Sequence, residues 1–226
     1  MGTISKANFM KAVRVELDRN RAFSPLITST QEDPDTLELE EVIEAQIIPA
    51  LTWCIEHAPL GMLWDAIQEI PVTPNNNGEY EAEANDVLYL ELPDDFLRLA
   101  LFKMYGWTVG VTEAITADDP RAALFGSKYA GICGNDERPR CLLTFMGYPV
   151  KRVLVIYSAS RDNDIAAAER YYVPKPSEDL QGNLPVPERL LPTAVSMCAA
   201  LVCRTMQDDK GVQLLEQKVN VLLGIV

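Results

Sequence analysis

The side chains able to do difficult chemistry are few. The chain has 226 residues, with one histidine, His57, and five cysteines, Cys54, Cys133, Cys141, Cys198 and Cys203. Cys54 and His57 stand three apart on a predicted helix, a spacing that lets them share a face. A thiolate–imidazole pair is a nucleophile arrangement. The simpler reading is a core thiol beside a helix-end imidazole that the helix dipole favours, because Cys54 falls in the apolar stripe. Cys133 and Cys141 flank a seven-residue gap holding Asn135, Asp136, Glu137 and Arg138, not the CxxC pair of a zinc ribbon. Cys198 and Cys203 are five apart on a helix and point to different faces. A single histidine also rules out a HExxH zinc site within one chain. Asp94 and Asp95 could do acid–base work, but adjacent acids in a chain with 33 of them more often cap turns. Gly131-Ile132-Cys133-Gly134 lacks the phosphate-loop pattern and its Lys-Ser/Thr, and there is no GxSxG elbow. No motif calls for a catalytic residue, a metal or a cofactor.

Composition narrows the class further. The apolar fraction is 48%, enough for a core, and 33 acids against 20 bases give a net charge of -13. Such a chain does not grip nucleic acid through a general basic surface, nor does it suit an anionic membrane. No run of about 18 apolar residues appears, so no membrane-spanning helix is expected. The first residues lack the pattern of a signal peptide, and Lys6 stands where a myristoylation site needs Ser or Thr. An odd number of irregularly spaced cysteines suggests reduced, mostly buried thiols and an intracellular folding compartment.

The elements follow from periodicity. Residues 5–19 read as a helix with Ser5 as N-cap and Phe9, Met10, Val13 and Leu17 at helical spacing. After a linker, Asp33-Pro34 starts a second helix running to about His57, with Pro49 expected to kink or split it. From about 62 to 175 the pattern turns β-rich. Val87–Leu90, Cys141–Phe145, Val153–Tyr157 and Tyr171–Val173 read as strands, with a hairpin turn at Gly147-Tyr148-Pro149. Phe96–Met104 suits a strand or a short helix, and 120–130 a short helix. Two helices close the chain, the first carrying Ala194, Met197, Cys198, Leu201, Val202 and Met206, the second Val212, Leu215, Val219 and Leu222. The expected fold is α+β: a four-helix bundle from residues 1–60 and 186–226 with a β-rich insertion over 61–185.

One ordered set of features is distinctive. Leu92-Pro93-Asp94-Asp95-Phe96-Leu97-Arg98-Leu99 follows a short strand. Arg138-Pro139 leads into another strand, a further strand ends at Tyr157, and Tyr171-Tyr172 with Pro174 precede the last two helices. In this order the chain resembles the head-to-tail adaptor proteins of tailed bacteriophages, the connector ring proteins of short-tailed phages and the first ring protein of crAss-like phages among them. The resemblance implies a structural subunit and not an enzyme. Such adaptors form rings, usually of twelve copies, below the portal protein of the virion. DNA passes through passively and further tail or ring proteins dock beneath. It implies assembly in the host cytoplasm and no membrane partner.

Leu92, Pro93, Asp95, Phe96 and Arg98 carry over as fold-defining positions. Physically, Pro93 ends a strand, Asp95 can cap backbone donors, Phe96 can anchor in a core and Arg98 can pair with an acid. Residues 6–21 hold five bases and two acids, and residues 32–44 hold seven acids and no base. Heterologous contacts of a ring join unlike patches, so Lys11, Arg14 and Arg21 facing Glu38, Glu41 and Glu44 of a neighbouring subunit are the expected interface. A negative lumen would also let DNA slide. The competing readings are a hydrolase using carboxylates or Cys54 and His57, and an acidic monomeric binding module such as an inhibitor or DNA mimic.

Overall fold

The computed structural model describes residues 2–20, 34–71, 87–125, 137–147, 150–157 and 168–225. In chain order the elements are β1 (Thr3–Ser5), α1 (Lys6–Asn20), α2 (Pro34–His57), β2 (Gln68–Glu69), β3 (Leu88–Glu91), β4 (Phe96–Lys103), β5 (Ile115–Thr116), α3 (Ala122–Phe125), β6 (Cys141–Met146), β7 (Lys151–Ile156), β8 (Glu169–Pro174), β9 (Asn183–Pro185), α4 (Leu191–Thr205) and α5 (Asp209–Leu223). The fold is mixed α+β and divides into two units, Met1–Ala66 with Lys175–Val226, and Ile67–Pro174. Among the described residues, no helix is long and apolar enough to cross a membrane.

The first unit contains the four long helices. Ser5 caps α1 by accepting the Asn8 amide at 3.3 Å. α2 opens on Pro34, whose missing N–H falls among donors that a helix start leaves unpaired anyway. It runs on through Pro49 instead of splitting. Pro49 and Ala45, whose carbonyl loses its helical partner, are both exposed, so water can take the acceptor. α4 is buried on nearly every side, Ala194, Cys198, Ala199, Ala200 and Val202 almost completely, and it packs on α1, α2 and α5.

Asp208 caps α5 by accepting the Gly211 amide at 3.1 Å. A Cβ on Gly211 would sit 2.7 Å from Asp208 Oδ2 and 3.0 Å from Cys203 Sγ, so the tight α4–α5 turn needs glycine there. The buried line of α5 is Gly211, Leu215, Val219 and Leu223; Leu222, expected in that line, is largely outside it.

Two boundaries differ from the expectation. β9 pairs antiparallel with β1, Thr3↔Pro185 through Ser5↔Asn183. The loop before it is held by Asp179, which accepts the Gln181 and Asn183 amides at 2.8 and 2.7 Å, and the Lys6 amide donates to Gly182 O at 3.0 Å. Residues 175–185 therefore belong with the helices, as do the short 3-10 turns Leu60–Met62 and Trp64–Ala66, and the insertion is narrower than 61–185.

The second unit is a pair of sheets ordered β3-β7-β6-β5 and β2-β8-β4. β6 and β7 form the expected hairpin, Cys141↔Ile156 through Met146↔Lys151. Side chains alternate faces with period two. Leu88, Leu90, Cys141, Leu154 and Ile156 share a core with Phe96, Leu99, Phe102 and Tyr172 of the other sheet. Leu142, Val153 and Val155 turn the other way, against Phe125 of α3. The ambiguous run after Pro93 is strand β4, because β8 pairs along it and Val111 exchanges two 2.8 Å bonds with Phe102 on its other edge.

Candidate functional site

The LPDDF turn joins β3 to β4 and is held from three directions. The Leu92 amide donates to Arg152 O, and the Phe96 amide closes the turn on Pro93 O, both at 3.0 Å. Phe96 is fully buried and lies offset-parallel to Tyr172, ring centroids 5.7 Å apart. The Arg152 guanidinium sits 5.1 Å above the Phe96 ring and donates to Phe96 O at 3.0 Å. Asp95 accepts the Tyr172 hydroxyl at 3.0 Å, a side-chain partner in place of the backbone donor expected. Burial and the Asp95 carboxylate push the Tyr172 phenol up to about 12. Burial lowers Arg98, with the Glu113 charge opposing. These residues fix a chain reversal, and Asp95 is tied into it through Tyr172.

The thiol and imidazole candidates separate. Cys54 is fully buried, and burial pushes its thiol up to about 12. His57 is exposed at the end of α2, stacked on Trp53 with ring centroids 4.2 Å apart and Nδ1 2.8 Å from Trp53 O. The two do not share a face: the thiol points into the helical core and the imidazole to solvent. Cys198, pushed up to about 12 by burial and by Cys54, lies in that same core with Cys203. Both are buried although they point to different sides of α4, because α4 is covered on nearly every side. Burial also raises the Cys141 thiol, and Cys133 lies outside the described residues. Among the described residues, no group of three or more His, Cys, Asp and Glu is placed to hold a metal ion.

Part of the charge segregation is consumed within the chain. Arg14 pairs with Glu40, and Lys6 pairs with Glu44 and, at 3.1 Å, with Glu178. These pairs tie α1 to α2. Of the residues expected to face a neighbour, Arg14 and Glu44 thus meet acids and bases of their own chain. Lys11 and Glu41 are exposed, Glu38 lies in the first turns of α2, and Arg21 lies outside the described residues.

Sequence reasoning passed over one surface. The core-facing row of β6 runs Cys141, Leu143, Phe145, going from 2% exposed at Cys141 to 66% at Phe145. Val150, 68% exposed, follows the hairpin turn on the side of β7 that carries Arg152, the residue opposite Phe145. Met146 is 41% exposed on the other face. The inner face of the sheet therefore continues past its cover and ends in an uncovered apolar tip. The signal was the period-two spacing of Cys141, Leu143 and Phe145, which marks the face but not where the cover stops. No protein-family model matches the chain, and no curated protein matches it.

Proposed function

We propose that the chain is a structural subunit of a phage head-to-tail connector, assembling as a ring of about twelve copies below a portal, through which DNA passes and onto which tail proteins dock. In this reading the four long helices form a four-helix bundle that is the body of the ring, and the β unit is an insertion in the chain between them. The observation that carries it is the division of labour along the chain: both chain ends build one helical unit, and a self-contained β unit interrupts it between Ala66 and Lys175. Four further features support it. The LPDDF turn is a packing device. Cys54 and Cys198 sit in the helical core with raised pKa values, which suppresses nucleophilicity. An apolar tip stands exposed on the insertion. The net charge of -13 suits a conduit that does not hold DNA.

Negative-stain imaging and native mass spectrometry of the chain, alone and mixed with a portal protein, test the reading. A closed ring is the expected result. A chain that stays monomeric under both conditions overturns it.

A further inference from the structure

Resting on the ring reading, we infer that the β6–β7 hairpin tip of one copy seats in a groove between α1 and α4 of the next copy. The tip offers Phe145 and Val150 on the face that continues the buried apolar row, and Met146 on the other face, each at least 41% exposed. A protein surface rarely leaves such a row uncovered without a partner. The groove, about 530 Å³, is walled by Ala12 and Val15 of α1 and by Leu191, Pro192 and Val195 around the start of α4, with Lys11 at its rim. Its lining is mainly aliphatic and large enough for an aromatic side chain. Val15, in its wall, is itself 46% exposed.

Charge agrees with the match. At the tip end of the sheet, Glu91, Asp94 and Asp95 outnumber Lys151 and Arg152 by one, since Leu92 binds Arg152 and places the acidic turn beside the hairpin. At the groove, Lys11 and Lys218 outnumber Glu16 by one. Tip and groove are different surfaces of one chain, so the contact is heterologous. Repeated around an axis, it leaves no unpaired tip or groove only when the ring closes. The total charge of -13 disfavours the other home for an apolar tip with flanking bases, an anionic lipid surface.

The test places a photoreactive benzoylphenylalanine at position 145 of the full chain and maps cross-linked peptides by mass spectrometry. Adducts are expected between copies, on residues 8–16 and 191–195. Phe145→Asp and Val15→Asp, both at exposed positions, are each expected to weaken assembly at least about ten-fold while circular dichroism stays unchanged. Adducts on other surfaces, or assembly of Phe145→Asp equal to the unsubstituted chain, overturn the tip–groove contact and leave the ring standing. Failure of the unsubstituted chain to assemble overturns both. Binding of the unsubstituted chain, but not Phe145→Asp, to phosphatidylserine vesicles assigns the tip to lipid and also overturns the inference.

Discussion

The helical unit pairs its cations near the surface, whereas the β unit, beside surface pairs such as Lys151–Glu91 and Arg121–Asp119, also buries one. In the helical unit, Lys6, Arg14 and Lys218 reach across the surface to Glu44, Glu40 and Glu16. In the β unit, Arg170 is 8% exposed, and it donates to Ile70 O at 2.8 Å and Ala168 O at 2.9 Å while holding Glu69 at 2.9 Å. Arg152 does the same work against Phe96, and Arg140 lies 5.2 Å above the Phe125 ring. Long helices satisfy their own backbone, so their charged side chains only trim a packing that apolar stripes already dictate. Short strands and the turns between them leave carbonyls without ladder partners, and a buried guanidinium with several fixed donors ties those down. The difference teaches that exposed ion pairs trim the helical unit, whereas in the β unit one buried guanidinium, two half-buried ones and the rings they cover hold strands and turns together.

Substitutions can break that contrast or sharpen it. Phe96→Ala removes a fully buried ring together with its contacts to Tyr172 and Arg152, and is expected to cost about 3–5 kcal/mol. Hydrogen exchange should show lost protection within 87–174 and little change in α4; equal losses in both units would mean that the two unfold as one. Gly211→Ala is the counterpart in the helical unit. Its new methyl group would press on Asp208 and Cys203, at about 1–3 kcal/mol, read as a lower urea midpoint for the helical unit alone.

Tyr172→Phe loses the bond to Asp95 and should cost about 1 kcal/mol at neutral pH. It should also change the alkaline limit. Tyr172 is raised from 10.0 to about 12 in the folded chain, so the protonated phenol stabilises the fold fully below pH 10, and that stability is lost as pH climbs toward 12. Both units should begin to decline above pH 9.0, because burial raises Cys54 and Cys198 in the helical unit and Cys141 in the β unit from that value; Tyr172 adds a further loss in the β unit alone. Urea titrations from pH 8 to 12, on variants keeping either Trp107 or Trp53 as the only tryptophan, separate the two. Tyr172→Phe should flatten the Trp107 curve between pH 10 and 12 and leave the Trp53 curve as it was. Arg14→Ala is expected to cost less than about 1 kcal/mol, since its ion pair is partly exposed. A larger loss, measured by the same urea titration at neutral pH, would mean that surface charge carries more of the helical unit than its geometry implies.

How much could be read in advance depended on where the deciding partner lies. Ser5 and Pro34 announce helix starts through their own neighbours, and the β6–β7 alternation announces a hairpin. β4 was ambiguous because its apolar run does not alternate cleanly. What settles it is β8, about seventy residues downstream, where Leu99 pairs with Tyr172. β1, β2, β5 and β9 are two or three residues long and show no period at all. The LPDDF turn was visible as a turn, but its clamps, Arg152 and Tyr172, come from 56 and 77 residues away. Charge segregation along the chain was real, yet linear order cannot say whether opposite charges meet in one molecule or between two. Arg14 and Glu40 meet in one.

The pairing of β2 with β8 has an engineering consequence. Gln68 sits opposite Tyr172 and Glu69 opposite Tyr171, so the chain begins and ends this unit on adjacent rungs of one ladder. A strand spacing is about 5 Å. The segment Ile67–Pro174 thus enters and leaves on paired strands, the geometry that grafting into a host turn with ends about that far apart requires.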